Sequence, residues 1–156
     1  MNADANKIDW YERAAPGSPD KFAVTRGMTF TWHNCPRWIY RLAKCRVEFQ
    51  DGAVEAQIDD AGKTSIVCEL KVGFFFAVSV APNFAGALPA AAVHDFIYAH
   101  VDIIAAAWRC SAWRVLMLAD HWFLANMRKA QFGLRGAYYV GVRAFGFFYN
   151  RLGRIF

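Results

Sequence analysis

The sequence predicts an α+β fold, an antiparallel β-meander followed by a three-helix C-terminal layer. Two patterns predict it. Between residues 46 and 80, apolar and polar positions alternate between turn dipeptides, the period of half-buried strands. After Pro89 the apolar residues recur at the three-and-four spacing of helices. A chain of 156 residues makes one domain, long enough to fold without a disulfide or zinc staple. The expected division is an N-terminal arm over 1–25 and a single domain over 26–156, β-rich over 26–80 and helical over 88–152.

The arm is mixed and polar, with a loop at Pro16-Gly17-Ser18-Pro19-Asp20. Met28 to Trp32 reads as a short strand, and Trp38, Ile39, Tyr40 and Leu42 form an apolar and basic stretch between Pro36 and Cys45. Arg46 to Gln50 and Ala53 to Ile58 flank Asp51-Gly52, a two-residue hairpin turn whose residues tolerate positive φ. A second turn at Asp59 to Lys63 leads into Thr64 to Val72, where Ile66, Cys68, Leu70 and Val72 share one face. Phe74 to Val80 is almost wholly apolar and is expected at the sheet centre. Helices are expected over Ala90–Ala107, Ser111–Gln131 and Gly136–Arg151. The second carries Trp113, Met117, Asp120, Leu124 and Met127 near one face. The third is apolar nearly all round, which in a small domain calls for another subunit.

Composition excludes a disordered chain: 56% of residues are hydrophobic and 17% aromatic. The mean hydropathy of +0.14 asks what covers the apolar surface. Charge is uneven. Residues 1–105 carry ten Lys or Arg against twelve acids, while residues 106–156 carry eight against Asp120 alone. A basic C-terminal surface suits an acidic protein neighbour, nucleic acid or anionic lipid. Cys35, Cys45, Cys68 and Cys110 form no C-x-x-C pair and read as free, mostly buried thiols. Asp4, Lys7, Asp9, Glu12 and Arg13 interrupt any secretory signal. Val72 to Val93 has no charge, but Pro82, Asn83, Gly86 and Pro89 break it, so no transmembrane span is expected.

The first candidate constellation is His94-Asp95-x-x-Tyr98 with Asp120 from the next helix. His94 and Tyr98 are one turn apart on the same face. An acid beside an imidazole fixes its tautomer and raises its basicity, the arrangement of a general base. The same four residues equally suit a buried hydrogen-bond network between helices. His100 and Asp102 are further candidate ligands, and His33-Asn34-Cys35 is at most half a metal site. The second constellation interleaves cations and rings: Arg135, Tyr138, Tyr139, Arg143, Phe147, Phe148, Tyr149, Arg151, Arg154 and Phe156. It fits helix core with a basic edge, a subunit interface, or an anionic partner. Neither a phosphate-binding glycine loop nor a G-x-S-x-G turn is present.

Four pieces in order, Gly73-Phe74 with Ser79-Val80-x-Pro82, His94-Asp95-x-x-Tyr98, Ala119-Asp120-x-x-Phe123, and Tyr139-x-x-Val142-Arg143-x-Phe145-Gly146, resemble a family of tailed-bacteriophage and prophage proteins of unknown function. That family reads G-F-x-T-D-x-A-S-V-P, H-D-x-L-Y, A-D-x-x-F and Y-x-x-V-R-x-x-G, and the resemblance covers roughly residues 46 to 156. Phe76-Ala77 stand where the family has Thr-Asp, so a site needing that carboxylate would be impaired. The resemblance implies a phage setting. With the aromatic load and the apolar C-terminal helix it leads to the expectation of a structural virion component, made in the host cytoplasm, in the tail or its attachment region. Other virion chains are the expected partners, and no cofactor is expected. The alternative is a hydrolase. The His-Asp…Asp order, with His33 upstream, is similar to that of metal-dependent phosphohydrolases, which would bring a divalent metal. H-D-x-x-Y with a second-helix Asp is similar to the dyad of secretory phospholipases, although their calcium loop and disulfides are missing.

Overall fold

A computed structural model of the chain describes residues 11–13, 21–42, 45–58, 62–77, 88–129, 136–137 and 139–141. It has the α+β class that the two periodicities predict, with antiparallel sheets preceding the main helices. The four-stranded sheet has the order β3-β6-β5-β4 and comprises β3 (Met28–His33), β4 (Val47–Phe49), β5 (Gly52–Ile58) and β6 (Thr64–Leu70). Strands β4, β5 and β6 form the expected meander, and β3 adds to the far side of β6, with Phe30 opposite Cys68. Alternation sets the faces. Val54, Ile66, Cys68 and Leu70 point into the core with Met28, Phe30 and Trp32 packed beside them. Burial pushes the Cys68 thiol well above its ordinary pKa, so it behaves as a small apolar side chain. Val72, expected on the apolar face, lies beyond the end of β6 and is exposed.

Two sequence readings change here. β7 (Phe75–Ala77) is not in the meander centre. Among the described residues it pairs only with β2 (Lys21–Val24), in a second sheet ordered β1-β2-β7 with β1 (Tyr11–Arg13). An apolar run identifies a strand but not its partner, and the turn at Lys71–Gly73 redirects the chain: Gly73 has a φ of 93°, and its N–H donates to the Val24 carbonyl at 2.9 Å. Consequently the segment read as an arm ends earlier than residue 25. Phe22 and Val24 are core residues, and Phe22 stacks on Phe76 with ring centroids 5.6 Å apart.

The hairpin at 51–52 forms one residue earlier than predicted. Phe49 pairs with Gly52, which places Gln50 and Asp51 in the turn. Gly52 has no positive φ. Its role is space: a Cβ there would lie 2.1 Å from the Glu69 carbonyl oxygen and 2.7 Å from the Phe96 ring. The missing side chain lets Phe96 reach the sheet, where its ring meets Phe49 and Phe74 edge-on at 5.5 and 5.4 Å.

The short helix α1 (Arg37–Leu42) contributes Ile39 and Leu42 to the core. The predicted single helix over 90–107 is instead α2 (Leu88–Ala99) and α3 (Val101–Ala107), bent by 69° at His100. Hydrophobic periodicity continues through the break and so hides it. His100 leaves the helical region at φ −112°, ψ 15°. Helix α4 (Ala112–Lys129) buries Val115, Leu116, Leu118, Ala119, Asp120, Trp122, Phe123 and Met127. The expected stripe through Trp113, Met117 and Leu124 is rotated away, and those three are only half-buried. α2 packs against α4, β7 and β6 and joins both sheets to one core. Among the described residues no single helix is long and apolar enough to cross a membrane. Of the third predicted helix, 136–137 and 139–141 are helical, and the rest lies outside the described residues.

Candidate functional site

Helical spacing on α2 and one position on α4 build the site. His94 and Tyr98, one turn apart, stack ring on ring at 4.1 Å, and both face Asp120. Asp120 Oδ1 accepts a hydrogen bond from the Tyr98 hydroxyl at 2.8 Å and faces His94 Nε2 at 3.1 Å. Asp120 is 0% exposed and His94 8%. Phe123, one turn beyond Ala119, closes edge-on over the imidazole at 5.4 Å. Asp95 lies on the open side, its Oδ1 3.4 Å from His94 Nδ1, a long contact. All four residues singled out in the sequence therefore meet, with Asp95 at the margin.

Electrostatics follow from that geometry. Burial disfavours charge on the His94 ring. The hydrogen bonds to Asp120 and Asp95, with the negative charge of both, outweigh it, and His94 titrates above the ordinary imidazole value. Because each ring nitrogen faces a carboxylate oxygen, the doubly protonated ring is the form the site favours.

A pH dependence follows. A histidine whose folded pKa is raised gives its full stabilisation below the unfolded value of about 6.5. That contribution is lost as pH rises through the raised folded value. Urea unfolding at stepped pH should show wild-type stability falling across that window relative to His94→Gln. Parallel profiles for the two proteins would refute the ionic account of this node.

The other histidines go elsewhere. His100 Nε2 bonds both oxygens of Asp51, at 2.9 and 3.1 Å, and its ring stacks on Phe49 at 4.0 Å. This pair clamps the β4–β5 turn to the α2–α3 break. Sequence reading missed it, because the partners are 49 positions apart and carry no local signal. His121 meets Trp38 edge-on at 5.6 Å, and its Nδ1 lies 3.2 Å from the Tyr139 hydroxyl. His33 is exposed on β3. Among the described residues no group of three His, Cys, Asp or Glu could hold a metal ion. His33, His100 and Asp102 do not join His94.

A second cluster also went unread. On the outer face of the four-stranded sheet Arg46 bonds Glu48 at 2.9 Å, Glu55 at 3.0 Å and Glu69 at 2.6 Å. The guanidinium holds the Glu69 carboxyl below the usual carboxylate range. Alternation places Glu55 and Glu69 on one face, but only strand pairing brings Arg46 between them. Of the basic and aromatic C-terminal set, Tyr139 is described; Arg135, Tyr138, Arg143, Phe147, Phe148, Tyr149, Arg151, Arg154 and Phe156 lie outside the described residues.

Fold and site together define an α+β domain whose helical layer is pinned by a buried His–Asp–Tyr node. Compared with family models, curated proteins and solved structures, the chain has no match.

Proposed function

We propose that this chain is a structural component of a tailed-phage virion, in the tail or its attachment region, working by assembly with other virion chains. The observation that carries this reading is the convergence of separate pieces of the phage-like pattern. His94 and Tyr98 from one piece meet Asp120 and Phe123 from another in a single buried node. Phe74, from a third piece, packs edge-on against Phe96 of the same helix. Motif residues that bond to one another in a core act as a folding signature. The sealed carboxylate and the occupied ring nitrogens favour packing over proton transfer.

The aromatic and basic residues of 138–156 supply the assembly side of the argument, since rings with arginine are enriched at interfaces. Sedimentation of the purified chain should give a defined oligomer, and mass spectrometry of purified particles should detect it. A monodisperse monomer that is absent from particles would sink the proposal.

One observation favours the hydrolase alternative. His94 Nε2 is braced by a fully buried carboxylate while Nδ1 faces the less buried Asp95, which resembles a general base with its orienting acid. Under that reading the substrate is a phospholipid or phosphoester, and Asp95 and Asp120 orient the base or bind metal. His94→Gln decides it: loss of a measurable hydrolysis with folding intact supports the enzyme, and unchanged assembly with no hydrolysis in wild type removes it.

A further inference from the structure

Every exposed charge on α1 and α4 is positive. Arg37 and Arg41 lie on α1, and Arg114, Arg128 and Lys129 on α4. Asp120, the sole acid of either helix, is sealed in the core. The two helices meet where Trp38 packs edge-on against His121, whose ring centroid also lies 5.9 Å from that of Tyr139. Arg114, His121 and Arg128 are seven residues apart, hence about 10 Å apart along one side of α4. Arg37 and Arg41 are one turn apart beside Trp38. None of the five cations enters an ion pair among the described residues.

We infer that this face binds single-stranded nucleic acid, with the phosphate backbone along the arginines and a base against Trp38. The proposal goes beyond the assembly reading and does not require it. Charge complementarity calls for an anionic partner, and two features select its class. Among the described residues the acids that a second copy offers are dispersed over separate elements: Glu48, Glu55 and Glu69 all bond Arg46, Asp51 bonds His100, and the exposed Glu12 and Asp102 lie on β1 and α3. A bilayer needs a broad apolar face. Among the described side chains of α1 and α4, Trp38, at 38%, is the sole large hydrophobic one exposed. One accessible ring among spaced cations is instead the pattern of a stacking platform in an electrostatic track.

The test is fluorescence anisotropy of the full chain with a labelled oligothymidylate of about 20 nucleotides. Binding should weaken with salt, with a log–log slope of about −0.7 for each phosphate engaged. Arg114→Glu with Arg128→Glu should lower affinity at least about tenfold and flatten that slope by about 1.4, the share of two phosphates. Trp38→Ala should weaken binding by about tenfold with the slope unchanged. Arg26→Glu, on the β2–β3 connection, should leave affinity within about twofold. Circular dichroism checks that each variant keeps its fold.

Absence of binding at about 50 mM salt overturns the proposal, as does equal binding by the double variant. Phosphatidylserine vesicles serve as the other arm. Flotation with vesicles in the absence of oligonucleotide binding would make the face a membrane surface and also overturn the inference. So would a homo-oligomer that the double variant abolishes while the oligonucleotide stays unbound.

Discussion

Asp120→Ala should lower the free energy of unfolding by about 3–5 kcal/mol, the cost of removing one partner from a buried pair. Its carboxylate is fully buried and serves two donors, the Tyr98 hydroxyl at 2.8 Å and His94 Nε2 at 3.1 Å. Truncation removes their shared acceptor, and a buried donor that loses its acceptor gains no water in exchange. The graded series separates the contributions. Tyr98→Phe removes one neutral hydrogen bond and should cost about 1 kcal/mol. Asp120→Asn keeps an acceptor but removes one of the two carboxylate charges that raise the His94 pKa, so it should fall between the two. Denaturant unfolding measures all three, and Asp120→Asn keeps the test open if the alanine variant does not fold. A loss under about 1 kcal/mol for Asp120→Ala would mean that the node does not hold α2 to α4.

Gly52→Ala is the second large effect, at about 3 kcal/mol or more, the upper end of the overpacking range. A methyl group there would sit 2.1 Å from the Glu69 carbonyl oxygen and 2.7 Å from the Phe96 ring. The ring can turn, but the carbonyl belongs to β6, which is paired with β5 on one side and β3 on the other. Shrinking Phe96 to alanine therefore should not rescue the variant. Gly62→Ala provides the contrast. That glycine has a φ of 73° and open space around its Cβ position, so its cost should stay near the roughly 1–2 kcal/mol of left-handed backbone. Equal losses at the two glycines, or rescue by Phe96→Ala, would refute the steric account. Thermal unfolding resolves the difference, since each kcal/mol moves Tm by roughly 2–4 °C in a domain of this size.

Gly52 also illustrates what a sequence conceals. Asp51-Gly52 announces a hairpin, and the hairpin is there. Turn chemistry assigns the glycine to a positive φ, whereas its contacts assign it to a close approach between two strands and a ring. The candidate site divides the same way. The i, i+4 spacing of His94 and Tyr98 puts both on one face of a helix, and Asp120 is the only acid in the last fifty-one residues. Their meeting was therefore legible as a possibility. The partners of His100 and Arg46 were not, because Asp51 and Glu69 lie 49 and 23 positions away.

The sequence by itself determined the α+β class, the strands β4 to β6 of the meander and the helical character of 90–107 and of 112–129. It also placed the positive charge in the last third. Those properties come from neighbours two to four residues apart, where strand and helix periods operate. Only the tertiary structure decided that β7 leaves the meander for β2 and that the first long helix breaks at His100. It alone decided that α4 turns Asp120 inward while Arg114 and Arg128 stay outside. The physical reason is shared by all three. Each is settled by which apolar face finds cover and which buried polar group finds a partner, and those partners are distant in the chain.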